Sequence, residues 1–299
     1  MSLHHRDSMC SPARPAQWPR LLSSPLWLCC LFASAATLAA ADAPPVSKTP
    51  PLFTEDFEST EVGAIPAGFT ATGKVAVADD FAFSGKKSLR VEAAPRGPRR
   101  ITLHGDILTK LGGQFWGRLY YRVQTPYPLP DPAGGNPVIH STVVAGACLS
   151  PQFDDQIEVR MLDTVMNKAG ACQYIYNVQP KSRGEFGKGS AYLYHFTNQW
   201  TLAEWSVDDA TQSYHLYING QEIPGVALDQ GAGHFTKVEL PKVFTSLSFG
   251  LYNYQSAGTG FVVWIDDIAL GKERIGPLVS DTGAPKPAPV GQPGPQHDN

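Results

Sequence analysis

Charged side chains are scarce in this sequence: Asp, Glu, Lys and Arg make up 17% of its 299 residues, and the formal net charge is −3. A nucleic-acid-binding surface needs a clustered basic face, so that class of partner is not expected. No apolar run reaches the roughly 20 residues of a comfortable membrane span. After the first forty or so residues no stretch shows a helical period with caps, which excludes a helix-rich fold. Cysteine is sparse as well, with five in all. What is plentiful is Gly (28), Pro (26) and aromatic side chains at 10%. That mixture favours many short strands joined by turns.

The N-terminal segment is set aside before any argument about the fold. Arg14 and Arg20 precede the uncharged stretch 26–40, and Ala39-x-Ala41 has the small residues that signal peptidase reads. A secretory signal over 1–41 is the expectation, with a retained anchor as the alternative. Leu26-Trp27-Leu28 ahead of Cys29 lacks the small residues of a lipoprotein site. The mature chain then starts near Asp42 and is secreted, extracellular or periplasmic, without stable membrane insertion. Cys10, Cys29 and Cys30 leave with the signal. Cys148 and Cys172 remain as an even pair in an oxidising compartment, so a disulfide between them is expected, two buried free thiols being the alternative. Neither has a partner at zinc-ligand spacing.

The remaining length suits one domain. Residues 42–51 read as a linker, 52–275 as the folded domain, and the Pro/Gly-rich stretch 276–299 as a disordered tail, too poor in apolar side chains to offset its ordering entropy. A monomer is expected.

Within the domain, period-two alternation recurs. Leu119, Tyr121 and Val123 alternate with Arg118, Tyr120, Arg122 and Gln124. Ile157, Val159 and Met161 alternate with Gln156, Glu158 and Arg160. Tyr214, Leu216 and Ile218 alternate with Ser213, His215 and Tyr217. Leu247, Phe249 and Leu251 alternate with Ser248, Gly250, Tyr252 and Tyr254. Asn219-Gly220 is a strong hairpin signal. The polar set opposite the core is Arg, Gln, Glu, His and Tyr, side chains able to stack on sugar rings and bond to hydroxyls. An ordinary wet sheet face is the competing reading.

Five segments together carry a resemblance: 55–59 (EDFES), 83–91 (FSGKKSLRV), 205–224 (WSVDDATQSYHLYINGQEIP), 248–254 (SFGLYNY) and 263–276 (VWIDDIALGKERIG). In order and spacing they resemble the family of the secreted cellulose-induced protein of wood-degrading fungi and its bacterial relatives. The resemblance covers nearly the whole domain and is strongest at its two ends. It implies an all-β, two-sheet antiparallel β-jelly-roll sandwich (concanavalin-like), akin to glucuronan and alginate lyases. It also implies a structural calcium held by Glu58, Ser84 and Asp266, with a backbone oxygen at Lys87; carboxylate and carbonyl oxygens suit such a hard cation.

By the same resemblance the protein acts on polysaccharide, as a lyase cutting a uronic-acid-containing glycan by β-elimination. Arg160 would then clamp the sugar carboxylate, His140 would be the base, and Tyr254 or Tyr252 the acid. Arg122, Gln156, Glu158, Gln173 and Tyr176 would line subsites. Two departures stand out: Val138 replaces a glutamine of the alginate lyases, and Glu158 replaces a second histidine. A glutamate there repels a uronate unless it is protonated or paired with arginine. The alternative to a lyase is a non-catalytic carbohydrate-binding module; a third reading is a structural surface protein held together by calcium.

Overall fold

The structure, a computed structural model, describes residues 44–229, 238–279 and Lys286. The expected export signal, and the expected tail beyond residue 279 apart from Lys286, lie outside the described residues.

Nearly all the regular structure is β. The strands are β1 (Phe53–Glu55), β2 (Phe69–Thr72), β3 (Val75–Ala78), β4 (Ser88–Val91), β5 (Gly97–Leu103), β6 (Gln114–Val123), β7 (Val138–Leu149), β8 (Gln156–Asn167), β9 (Cys172–Pro180), β10 (Phe186–Gly189), β11 (Thr201–Asp208), β12 (Ser213–Ile218), β13 (Gln221–Glu222), β14 (Ser246–Asn253) and β15 (Val263–Gly271), with one short helix, α1 (Asp106–Leu111). They form two antiparallel sheets. One has the order β13-β12-β11-β6-β15-β4-β3, with β1 also on β15; the other has the order β10-β9-β8-β7-β14-β5-β2. This is the expected jelly-roll sandwich, in which strands distant in sequence become neighbours.

The alternation sorts the side chains as its period dictates. Leu119, Trp205, Leu216 and Ile265 from the eight-stranded sheet meet Ile101, Val159, Tyr176 and Phe249 from the seven-stranded sheet in one core. Gly117 on β6 is required there, because a Cβ at that position would lie 2.1 Å from the Trp205 ring. Asn219 and Gly220 adopt positive φ (51° and 79°) and turn β12 into β13, as the dipeptide implies.

The outer face of the eight-stranded sheet is covered. Phe81, Phe83, Tyr120, Trp200, Leu202 and Trp264 form a second apolar cluster, with Leu278 packed against it. The chain after β15 is held there: Gly276 donates to Glu204 at 2.8 Å, Arg118 donates to the Gly276 carbonyl at 3.2 Å, and Leu278 donates to the Tyr120 hydroxyl at 3.0 Å. Residues 44–51, read from sequence as a linker, also touch the fold. Ser47 donates to the Arg274 carbonyl at 2.9 Å.

The expected disulfide does not form. Cys148 pairs with Ile157 at one end of β8, and Cys172 pairs with Met166 near the other. At about 3.3 Å per residue the two are roughly 25–30 Å apart, far beyond the ~5.5 Å between Cα atoms that a disulfide spans. Both are buried free thiols, and burial pushes each pKa up to about 12.

Candidate functional site

The outer face of the seven-stranded sheet collects polar and aromatic side chains from β5, β7, β8, β9 and β14. A pocket of about 400 Å³ opens on it, lined among others by Gln156, Glu158, Arg160, Gln179, Lys181, Tyr252 and Tyr254. Tyr252 and Tyr254, one strand period apart, stack with ring centroids 4.1 Å apart and planes at 25°. The Arg160 guanidinium lies 4.0 Å over the Tyr254 ring, and that of Arg100 lies 5.7 Å from the Tyr252 ring.

Glu158 is the hub of the polar network. Its Oε2 accepts from Arg100 at 2.9 Å; its Oε1 accepts from Arg160 Nε at 3.2 Å and from the Tyr254 hydroxyl at 3.2 Å. Burial alone would raise this carboxyl, but the two guanidiniums outweigh burial and hold it below the ordinary carboxylate range. Glu158 is thus the arginine-paired group, not a protonated one. Three of the five N–H groups of Arg160 have partners: besides Glu158, its Nη1 donates to Asn177 Oδ1 at 3.2 Å and its Nη2 to Gln179 Oε1 at 3.5 Å. Its side chain is only 4% exposed.

Next to this network stands a second one. His140 Nε2 lies 2.7 Å from Asp163 Oδ2, and Thr142 Oγ1 donates to Asp163 Oδ1 at 2.7 Å. The Thr142 hydroxyl is also 3.1 Å from that of Tyr254. His140 and Tyr254 have ring centroids 4.8 Å apart. Complete burial raises the Asp163 carboxyl, with His140 pulling the other way. The Tyr254 phenol is pushed up by burial and by the Glu158 carboxylate.

Strict alternation would send Asp163, three residues after Arg160, to the opposite face. A register shift in the β8–β9 pairing between Arg160 and Asp163 resets the alternation. Met161 and Leu162 are then buried side by side, and Asp163 returns to the polar face. The sequence signal for this was the apolar pair Met161-Leu162 interrupting the period. Arg100, Thr142, Asn177, Gln179 and Lys181 also went unnoticed in the sequence, each lying on a strand or strand end whose neighbours are set by long-range pairing.

His140, Arg160, Tyr252, Tyr254, Gln156 and Glu158 are therefore brought to one face, and Gln173 shares the outward side of β9 with Asn177 and Gln179. Two expected subsite residues are not there. Tyr176 is fully buried between the sheets, its ring 4.6 Å from Tyr214 and its hydroxyl on the Val238 carbonyl. It shares the β9 side of Tyr174 and Val178, which is the core side. Arg122 sits on β6 in the other sheet, its guanidinium 3.8 Å over Phe81 and its Nε donating to Asn198.

The residues expected to hold calcium meet at the turn 83–87. Asp266 Oδ2 accepts the amides of Phe83 (2.7 Å) and Ser84 (3.1 Å), and Ser84 Oγ donates to Asp267 Oδ1 at 3.1 Å. Glu58 Oε1 takes the amides of Lys86 and Lys87, while the Lys87 ammonium bonds the carbonyls of Glu58 and Thr60. Asp267 Oδ2 is buried with no partner. Burial, then the neighbouring Asp267, raises the Asp266 pKa to about 8. A buried, unpaired carboxylate oxygen beside a second carboxylate is chemistry that a hard cation would satisfy. Among the described residues no three His, Cys, Asp or Glu side chains are placed to hold a metal by themselves, so hydroxyl and backbone oxygens would have to complete the shell.

No protein-family model matches the chain, and no curated protein matches it in sequence. Among solved structures it is similar to "Cellulose induced protein, Cip1", at 18% identity and TM-score 0.44, over 75% of this chain and 99% of that one. It is also similar to the botulinum neurotoxin serotype G binding domain, at 12% identity and TM-score 0.44, over 76% of this chain and 48% of that one. A third, the binding domain of botulinum neurotoxin DC in complex with SialylT, has 10% identity and TM-score 0.43, over 70% of this chain and 43% of that one. The chain spans about half the length of these neurotoxin domains. At such identities and scores the likenesses carry no functional argument, and the functional reading rests on the site itself.

Proposed function

We propose that the outer face of the seven-stranded sheet binds a polysaccharide, and that the chain works as an exported glycan-binding protein. The observation that carries this is the stacked Tyr252–Tyr254 pair at a 400 Å³ pocket whose walls also include the planar hydrogen-bonding groups of Gln156, Glu158, Arg160 and Gln179. Sugar rings pack on aromatic faces, and their hydroxyls pair with carboxylate, guanidinium and amide groups. Calcium at Asp266, Asp267 and Ser84 would tie the turn 83–87 to β15, close to both ends of the domain. The test of binding is affinity electrophoresis or calorimetry of the mature protein against soluble glycans. Tyr252→Ala and Tyr254→Ala should each weaken binding by about twofold to tenfold, in keeping with roughly 0.5–1.5 kcal/mol per aromatic contact. Binding that survives both changes refutes the placement.

A second reading is β-elimination on a uronic-acid-containing glycan. It is favoured by the contact of the Asp163–His140 pair with Tyr254, an oriented base beside a phenol. Against it stands Arg160, which is only 4% exposed and already bonds Glu158, Asn177 and Gln179 within the fold. Incubation with glucuronan or alginate, followed by ultraviolet absorbance of the unsaturated uronate, decides it. Product that vanishes in His140→Ala and in Tyr254→Phe supports elimination; no product on either polymer removes it.

A further inference from the structure

We infer that Glu158 is a specificity residue that reserves this groove for uncharged glycans and turns uronates away. The inference rests on the glycan-binding reading above and is incompatible with elimination on a uronate. A uronate-binding groove needs a cation with unspent hydrogen bonds facing the ligand, as in bidentate guanidinium–carboxylate pairing. Here the guanidinium that lines the pocket, Arg160, already has a carboxylate, which belongs to the protein and is shared with Arg100. Arg100 and Arg160 each donate to Glu158, at 2.9 and 3.2 Å, and Arg160, only 4% exposed, also bonds Asn177 and Gln179. The Glu158 side chain is 22% exposed and lines the pocket, so it stands where an incoming carboxylate would have to sit.

Its pairing also keeps it ionised. The arginines hold it below the ordinary carboxylate range against the effect of burial, so it stays negative at neutral pH. Glu185, 52% exposed, is a second carboxylate paired with Arg160, 3.9 Å from its Nη1. Lys181 is the other cation at the pocket, and its ammonium is bonded to Gln156. What lines the groove beside the Glu158 carboxylate is the Tyr252 ring, the Gln156 and Gln179 amides, the apolar side chains of Leu149, Ile157 and Pro180, and the Lys181 ammonium. An uncharged hexose or pentose polymer leaves these pairs intact, whereas a uronate would have to displace Glu158 from its guanidiniums.

The test uses the mature protein with hexasaccharides of two kinds, uncharged (gluco-, xylo- and manno-) and uronic (glucuronan and alginate), measured by calorimetry at low and high salt. Wild type should bind one of the uncharged chains at least tenfold more tightly than either uronate. Glu158→Gln should narrow that gap at least fivefold by gaining uronate affinity. Salt should weaken uronate binding more steeply in Glu158→Gln than in wild type, because the change frees guanidiniums for the ligand. The wild-type preference needs no variant and decides the matter if Glu158→Gln fails to fold. Uronate bound more tightly than the uncharged chains overturns the inference while leaving the groove in place. Binding indifferent to Tyr252→Ala overturns the groove itself, and absence of binding to every hexasaccharide overturns both.

Discussion

Replacing Arg160 with alanine separates a guanidinium that holds the fold from one that waits for a ligand. The side chain is 4% exposed, bonds Glu158 and Asn177 at 3.2 Å each, reaches Gln179 at 3.5 Å, and covers the Tyr254 ring at 4.0 Å. Hydrogen bonds involving a charged group are worth about 1.5–3 kcal/mol each. The ring contact adds about 1 kcal/mol. Some of this returns, because Glu158 keeps Arg100 and water can enter the pocket. Removing one partner of a buried pair costs about 3–5 kcal/mol, and that is the expected loss. For a domain of this size it lowers the melting temperature by about 6–20 °C, at about 2–4 °C per kcal/mol. Urea unfolding followed by tryptophan fluorescence should show the midpoint fall with the slope unchanged. A double-mutant cycle with Glu158→Gln should return a coupling of about 0.5–3 kcal/mol. Stability within about 1 kcal/mol of wild type, together with lost glycan binding, would refute this reasoning, since the guanidinium would then be committed to the ligand.

The remaining predictions are simpler to check. Reductant should leave the melting temperature unchanged, and a mature chain starting near Asp42 should show two titratable thiols only after denaturation, as free buried Cys148 and Cys172 require; an intact bridge found by mass spectrometry contradicts the strand register. Glu158 should contribute to acid stability: its folded pKa lies below its unfolded value, so its stabilisation is present above the unfolded carboxylate pKa and is lost as pH falls through the folded one. The acid limb of the melting-temperature profile should accordingly be flatter in Glu158→Gln, and parallel limbs would count against the pairing. Chelation should lower the melting temperature, and added calcium should restore it, by about 2.7 kcal/mol at a hundredfold excess over the dissociation constant. Asp267→Asn should blunt that response, and identical melts with and without chelator would dispose of the ion.

The sequence by itself determined which residues face the core and that the chain folds as β-strands, because both follow from a period of two and from local turn chemistry. Leu119, Tyr121 and Val123, or Phe249 and Leu251, are inside for that reason, and Asn219-Gly220 turns where its backbone preferences demand. It also named much of the polar face, since Glu158, Arg160 and Tyr252 lie on strands whose alternation is intact up to the site and Tyr254 follows directly on β14. Tertiary structure decided everything that depends on register between strands far apart in sequence. It put Arg122 on the opposite sheet, Tyr176 in the core, and Cys148 and Cys172 at the two ends of β8. One register shift returned Asp163 to the side of His140, which no count of residues along β8 could announce. Above all, it brought Arg100 from β5 to Glu158 on β8 across β14 and β7, and that pairing of distant charges gave the groove its internal carboxylate.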